Sequence, residues 1–218
     1  MSIRPAAVFH RQPEPLPEES DIVLLASIFK RVLSPQASRT AAEEVIETFH
    51  GLAGVAAADE AALLRAGLDQ CCVMELVRIH TMALAMMRAQ ACARPVLSSW
   101  TALTAYLRAA LAHAPREQFR TLYLDKRNIL MREEHRAEGT TDHAPVYVRE
   151  VVRKALELSA SAMILVHNHP SGDPTPSRPD IEMTRRIIDA AKVFDIQVHD
   201  HVIVGREGTA SFRALGLM

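Results

Sequence analysis

Two histidines and an aspartate lie close together in the most proline-rich part of the C-terminal half. His167 and His169 are two residues apart, and in an extended segment such side chains point to the same side. Asp180 follows His169 after ten intervening residues. Two imidazoles and one carboxylate leave one position of a tetrahedral zinc ion for water, as in catalytic rather than structural zinc sites. The pattern therefore predicts a catalytic metal site.

A structural interpretation of the same residues stays open. Ser177, Pro179 and Asp180 also form a good pattern for the start of a helix, in which the serine and the acid satisfy free backbone N–H groups. A His-x-His pair alone is weak evidence for a metal. The metal interpretation is stronger because the pair, a proline-stiffened loop and the acid share one predicted strand-to-helix junction.

The elements around this junction predict a mixed α/β domain. A buried strand precedes the histidines, and an amphipathic helix begins at the aspartate. The predicted elements are strands at 119–125 and 129–134, a polar loop at 136–145, a helix at 148–159, a strand at 162–166, a loop at 167–179, a helix at 180–194 and strand pieces at 196–198 and 201–204.

The N-terminal half predicts a small helical bundle. Proline and glutamate make residues 1–19 a flexible arm, and residues 20–94 contain short amphipathic segments separated by glycine. We place a domain boundary near residue 95, so that residues 95–218 form the α/β domain. The predicted helices begin near Ser20 and cover 38–49, 59–65 and 72–88, with another at 99–112 after the boundary.

Composition restricts the class of protein. The chain has 218 residues, of which 49% are hydrophobic and 23% charged, and its formal net charge is −1. These values are typical of a soluble globular protein with no overall basic field for nucleic acid or membrane. No apolar run has the length of a membrane span or a signal peptide. Three cysteines without framework spacing predict reduced thiols and a cytoplasmic location.

The motif resembles a known family. His-x-His, ten residues and Asp, with Ser three residues before the Asp, is similar to the JAMM (MPN+/JAB) metalloprotease motif. The longer string HNHPSGDPTPSRPDIEMT, followed by Asp200-His-Val-Ile-Val-Gly205, resembles the bacterial RadC (UPF0758-like) group of that superfamily. The resemblance implies a cytidine-deaminase-like mixed α/β fold and a preceding helical domain.

The resemblance also implies residue roles. One zinc ion per chain would be held by His167, His169 and Asp180. Glu117, in Ala-Pro-Arg-Glu-Gln-Phe before the first strand, would act as general acid and base, and Ser177 would stabilise the oxyanion. The implied activity is hydrolysis of a peptide or isopeptide bond by zinc-activated water. The identity of the substrate and the oligomeric state stay open.

Three further polar residues follow in His199-Asp200-His201. Asp200 and His201 are candidates for supporting a metal ligand from behind. A hydrogen-bonded pair at the start of a strand is the alternative, and it is the more common arrangement. The sequence gives no reason for His199.

Two alternative functions stay open. One is a DNA-processing binding module whose metal site is structural or vestigial, and the other is cleavage of a phosphodiester. RadC proteins usually carry a helix-hairpin-helix-like turn that offers N–H groups to DNA phosphate. Here Asp69 replaces the second glycine, which makes the turn degenerate, and residues 1–93 carry eight basic against eleven acidic side chains. Both features argue against DNA binding.

Overall fold

The computed structural model describes residues 18–92, 95–138 and 146–218. Most of the predicted arm and residues 139–145 of the predicted 136–145 loop lie outside these residues. The described chain begins with helices and continues into a sheet, which confirms the predicted order of a helical region and a mixed α/β domain. The helices before residue 95 are α1 (Glu18–Phe29), α2 (Pro35–Phe49), α3 (Leu52–Ala57), α4 (Glu60–Arg65) and α5 (Gln70–Cys92).

Local signals explain where these helices begin and end. Ser34 accepts a hydrogen bond from the N–H of Ala37 at the start of α2, and Asp59 accepts one from Ala62 at the start of α4. His50 ends α2 in the left-handed conformation, with a φ of 58°. The helices bury a shared apolar core, whose members include Leu25, Phe29, Val45, Val55, Leu63, Leu68 and Leu76.

Helix α5 contributes to two cores. It is longer than the predicted 72–88, because small and sulfur-containing residues continue the helix at both ends. Its first turns bury Cys72 and Val73 in the helical core, whereas Ala91 near its end is buried against the sheet domain. The division of the chain at residue 95 stays a prediction. The six-residue helix α3 was not predicted, since so short a segment shows no periodicity.

After α5, a short 3₁₀ helix (Val96–Ser99) and α6 (Trp100–Leu111) lead into a five-stranded sheet. The strand order is β2-β1-β3-β4-β5. Strand β1 is antiparallel to both neighbours, β3 and β4 are parallel, and β5 is antiparallel to β4. The strands are β1 (Gln118–Leu124), β2 (Leu130–Glu138), β3 (Ala162–Asn168), β4 (Gln197–Val204) and β5 (Thr209–Ser211).

Helices cover both faces of the sheet. Helix α6 packs on one face, and α7 (Val148–Glu157) and α8 (Arg178–Lys192) pack on the other. Because α8 connects the parallel strands β3 and β4, it begins beside the end of β3 where His167 lies. No helix in the described part of the chain has the length and apolar character of a membrane-spanning segment.

Several predicted bounds differ from the structure. The two predicted strand pieces at 196–198 and 201–204 are one strand, β4, because the polar residues between them are buried and hydrogen-bonded. The loop predicted to begin at His167 begins after Asn168, where β3 ends. Strand β2 extends to Glu138, into the predicted loop, and the three-residue strand β5 was not predicted.

Candidate metal centre

The three predicted ligand side chains converge at the carboxyl end of β3. His167 is the second-last residue of β3, His169 follows the strand, and Asp180 lies in the first turn of α8. The Nε2 atoms of the two histidines are 3.0 Å apart. Asp180 places Oδ1 3.3 Å from Nε2 of His167 and Oδ2 3.4 Å from Nε2 of His169. All the potential ligand atoms lie within 4.8 Å of one another.

The loop that carries His169 is held by the turn between β4 and β5. The backbone N–H of His169 donates to the carbonyl of Val204, and the carbonyl of Gly172 accepts from Glu207. The Arg206 guanidinium donates to the carbonyl of Ser171 at 2.7 Å. A Cβ atom at Gly205 would lie 2.1 Å from the carbonyl oxygen of Gly172. The turn therefore requires glycine at position 205 to approach the loop.

A backbone contact determines the tautomer of His169. Its Nδ1 lies 2.8 Å from the carbonyl oxygen of Asp173. A carbonyl can only accept a hydrogen bond, so the proton of a neutral His169 is on Nδ1. Its Nε2 then carries a lone pair, which faces His167 and the Asp180 carboxylate. Two nitrogen donors and a carboxylate facing one point fit a divalent cation, and this donor set is one that zinc accepts.

The charges of the group also suit a cation. Burial opposes ionisation of Asp180, but the imidazole rings of His167 and His169 beside it outweigh burial and hold the pKa of this carboxyl well below its usual range. The Asp180 carboxylate beside it raises the pKa of His169, against the effect of its own burial. Asp180 is therefore a carboxylate at neutral pH, and its negative charge favours the binding of a cation beside the two Nε2 atoms.

Ser177 forms the predicted helix cap and also contacts a ligand. Its backbone N–H and its hydroxyl both donate to Asp180 Oδ2, at 2.8 and 2.5 Å. Its Oγ in turn accepts from the N–H of Asp180. The capping interpretation of this pair is confirmed, and the same bonds orient the Asp180 carboxylate towards the histidines.

Glu117 lies at the edge of the group. It precedes β1, it is half-buried, and its charge is close enough to help raise the pKa of His169. The buried Asn168 side chain holds the backbone on both sides of it. Asn168 Oδ1 accepts from the N–H of Gln118 at 2.8 Å, and Nδ2 donates to the carbonyl of Arg116 at 3.1 Å. The place of Asn168 between the two histidines is the sequence signal for this role.

His201 lies directly behind the group formed by His167, His169 and Asp180. It is fully buried, and its Nε2 is 2.8 Å from Nδ1 of His167. Its other ring nitrogen lies 2.6 Å from Oγ1 of Thr184, which the sequence pattern did not single out. Burial lowers the pKa of His201 well below its usual range. The spacing of Thr184, one helical turn after Asp180, is the signal that could have found it.

The neighbours of His201 brace other parts of the sheet. Asp200 accepts hydrogen bonds from the Ser211 hydroxyl and from the backbone N–H of Arg213, and so holds β5 and the turn after it. His199 Nε2 lies 2.6 Å from Oδ1 of Asn128, whose φ of 60° places it in the left-handed region of the β1–β2 turn. These contacts give His199 a structural role. The contacts of Asp200 direct its side chain towards β5 rather than towards His167 and His169.

The degenerate turn of the helical region has a cap of its own. Gly67 adopts a φ of 89°. Asp69 then accepts a hydrogen bond from the N–H of Cys71 at 2.7 Å, at the start of α5. This carboxylate occupies the end of the helix where a phosphate would need free N–H groups.

Comparisons with known proteins identify a matching family model and a similar relative. A family model described as the RadC-like JAB domain matches residues 97–217. Over 199 residues, the chain is 47% identical to a UPF0758 protein of Rhodobacter capsulatus. That alignment covers 91% of this chain and 93% of the relative. The match therefore includes the helical region as well as the sheet domain.

Proposed function

The chain belongs to the RadC-like JAB domain family, and from this premise we propose that it is a zinc-dependent peptidase or isopeptidase of JAMM type. The observation that carries the proposal is the convergence of two imidazole Nε2 atoms and one carboxylate, with His169 held in the tautomer that leaves its Nε2 free. We assign His167, His169 and Asp180 as the ligands of one zinc ion per chain.

Zinc, when bound, would supply Lewis acidity to the scissile carbonyl and to water. Glu117 would take the proton of the attacking water and pass it to the leaving nitrogen. Asn168 supports this role because it holds the backbone on both sides of Glu117. The proton transfer would complete hydrolysis of the amide without a covalent intermediate on the protein.

Ser177 would donate to the oxyanion that develops on the carbonyl. In the structure its hydroxyl donates to Asp180 Oδ2, so this role requires the hydroxyl to rotate towards the substrate. While it bonds to Asp180, the same hydroxyl orients the carboxylate ligand. Ser177 would thus serve the site in both positions.

Metal content tests the proposal first. Elemental analysis of the chain purified without chelator should give about one zinc per chain, because two imidazoles and one carboxylate are the ligand set of a catalytic zinc site. His169→Ala should lose that zinc, whereas His135→Ala, which removes an exposed histidine on β2, should keep it. A wild-type chain that neither contains zinc nor takes it up would contradict the proposal.

Hydrolysis tests the second step. With a mixed pool of quenched fluorogenic peptides as the probe, wild-type protein should release fluorescence and Glu117→Gln should not, although Glu117→Gln keeps its zinc. Loss of a general base costs about 100- to 10,000-fold in rate. Equal rates for the two proteins would remove Glu117 from the mechanism.

The proposal names a peptide or isopeptide as the partner and places the protein in the cytoplasm. The free cysteines, one of them exposed, support a reducing compartment. The Asp69 cap on α5 argues against a phosphate contact at the degenerate turn. We therefore expect no anisotropy change with a labelled DNA duplex at low salt, and salt-dependent binding would instead favour the DNA-processing module.

A further inference from the structure

Buried side chains connect two of the metal ligands from behind. His167 Nδ1 lies 2.8 Å from His201 Nε2, and His201 Nδ1 lies 2.6 Å from Thr184 Oγ1. The Thr184 hydroxyl in turn lies 2.6 Å from the backbone carbonyl oxygen of Asp180. The chain of contacts therefore begins at one ligand side chain and ends on the backbone of another. His201 and Thr184 are both fully buried.

The end of this chain determines where each proton lies. The carbonyl oxygen of Asp180 carries no proton, so the single hydroxyl proton of Thr184 must be donated to it. Oγ1 can then only accept from His201, which places the proton of His201 on Nδ1. Nε2 of a neutral His201 must accept, and the proton it accepts is on Nδ1 of His167.

The surroundings hold the His201 ring in this orientation. Phe212 stacks on it with ring centroids 4.6 Å apart, and Phe119 meets it edge-on at 5.9 Å. Rotation of the ring would break both of its hydrogen bonds in a buried site, where no water replaces the lost partners. The ring is therefore fixed by packing as well as by hydrogen bonding.

We propose that Thr184 and His201 are positioning residues that hold His167 as its Nδ1–H tautomer and so keep its Nε2 free for a metal ion. The link to metal binding rests on the proposed function, but the tautomer is a property of the metal-free protein. Asp173 does the same for His169 through its carbonyl. The two histidines thus have their Nδ1 protons fixed by different means, one by backbone and one by a relay of side chains.

The wild-type tautomer tests the proposal without any variant. Long-range ¹H–¹⁵N spectra of the full, metal-free chain, labelled at histidine nitrogen and kept above pH 7.5, distinguish the two tautomers of each ring. The His167 signal is identified by its loss in His167→Gln. We expect the Nδ1–H form, and an Nε2–H form would overturn the proposal.

Thr184→Val tests the relay. The exchange keeps the shape of the side chain but leaves no acceptor for His201 Nδ1, so His201 should move its proton to Nε2. It would then donate to His167 Nδ1, and the proton of His167 would have to move to the ligand atom. Competition with a chromophoric chelator should show zinc binding weakened by about 10- to 100-fold, the usual effect of losing such a partner.

Two variants serve as controls. Thr184→Ser keeps the hydroxyl and should keep both the tautomer and the affinity. Thr121→Val removes a hydroxyl that is also fully buried, on β1, and that has no hydrogen-bond partner among the described residues. It should change neither quantity. If Thr184→Val matches Thr121→Val in tautomer and in zinc affinity, the proposal is overturned.

The two possible failures can be told apart. A wild-type chain that binds no zinc contradicts the proposed function, yet its spectra still report the tautomer of His167. A wild-type chain that takes up zinc, but whose His167 is in the Nε2–H form when metal-free, contradicts the relay alone.

Discussion

The helical region and the sheet domain differ in what they bury. Of the ten buried polar residues in the described chain, nine lie after residue 95, and Ser38 alone lies in the N-terminal helical region. Ion pairs of the helical region, such as Arg39–Glu43, are on the surface. Because buried polar groups cost free energy unless they are fully paired, their concentration in one region marks where a particular geometry is required.

The sheet domain contains a second polar group on the face opposite the histidines. The Glu133 side chain is 5% exposed and accepts from Arg120 at 2.9 Å and from Tyr106 at 2.8 Å. Arg88 of α5 adds a contact of 3.2 Å. Burial raises the pKa of Glu133, but these hydrogen bonds outweigh it and leave the pKa lowered. The network ties α5 to the sheet through charge, whereas the first turns of α5 bury apolar side chains in the helical core.

Breaking a buried ion pair should show the largest difference between the regions. Arg120→Leu leaves Glu133 buried with less compensation and should lower the free energy of unfolding by about 3–5 kcal/mol. Arg39→Ala breaks an exposed pair in α2 and should cost about 0.5 kcal/mol or less. Urea unfolding of both variants measures the two values. Similar costs would mean that the buried network contributes no more than a surface pair.

An apolar substitution should separate stability from the metal site. Leu63 of α4 is 1% exposed in the helical core, and Leu63→Ala should lower the free energy of unfolding by about 2–4 kcal/mol through lost burial and a cavity. Zinc content at 10 °C should stay at the wild-type value, because none of the three proposed zinc ligands lies in the helical region. Loss of zinc from the folded variant would show that the helical core supports the site.

Disturbing the close contact between the β4–β5 turn and the loop after His169 should have a smaller effect. Gly205→Ala would place a methyl group against the carbonyl of Gly172, and should cost about 1–3 kcal/mol together with a loss of zinc affinity. Gly208→Ala is the matched control in the same turn, because a Cβ atom there meets nothing within 4 Å. Equal unfolding midpoints and zinc affinities for the two variants would show that the contact between this turn and the loop supports neither stability nor zinc binding.

The smallest effect concerns pH. Burial, and then the charge of Arg213, lower the pKa of His199 below its usual value. The unfolded chain therefore binds a proton that the folded chain does not, and stability falls as pH drops below about 6.5. Between pH 7.5 and 5.5, wild-type protein should lose more stability in urea than His199→Gln. A steeper loss in the variant would contradict this assignment.

The candidate ligands were predictable because their arrangement is local. A strand brings His167 and His169 to one side, and the helix that begins at Ser177 turns Asp180 back towards them. Spacing and capping rules describe both steps. The order of helical region and α/β domain was predictable from periodicity for the same reason, since each long element carries its own pattern.

Long-range contacts explain what could not be predicted. The burial of His199 and His201 within β4 depends on partners far away in sequence, at Asn128 and His167. Without those partners the sequence predicted a break in the strand at His199 and Asp200. The relay from Thr184 and the bridge from Asn168 to the segment of Glu117 likewise join separate elements. Rules based on spacing along the chain do not predict contacts between residues so far apart in the sequence.

Helix α5 has a consequence for how this chain can change. Its 23 residues span about 35 Å, and its two ends are committed to different cores. Inserting one residue into its exposed middle would rotate one core against the other by about 100°, whereas inserting about seven residues, or two turns, would nearly restore their phase. The length of this helix is therefore constrained in steps of about seven residues, even where its side chains contact only solvent.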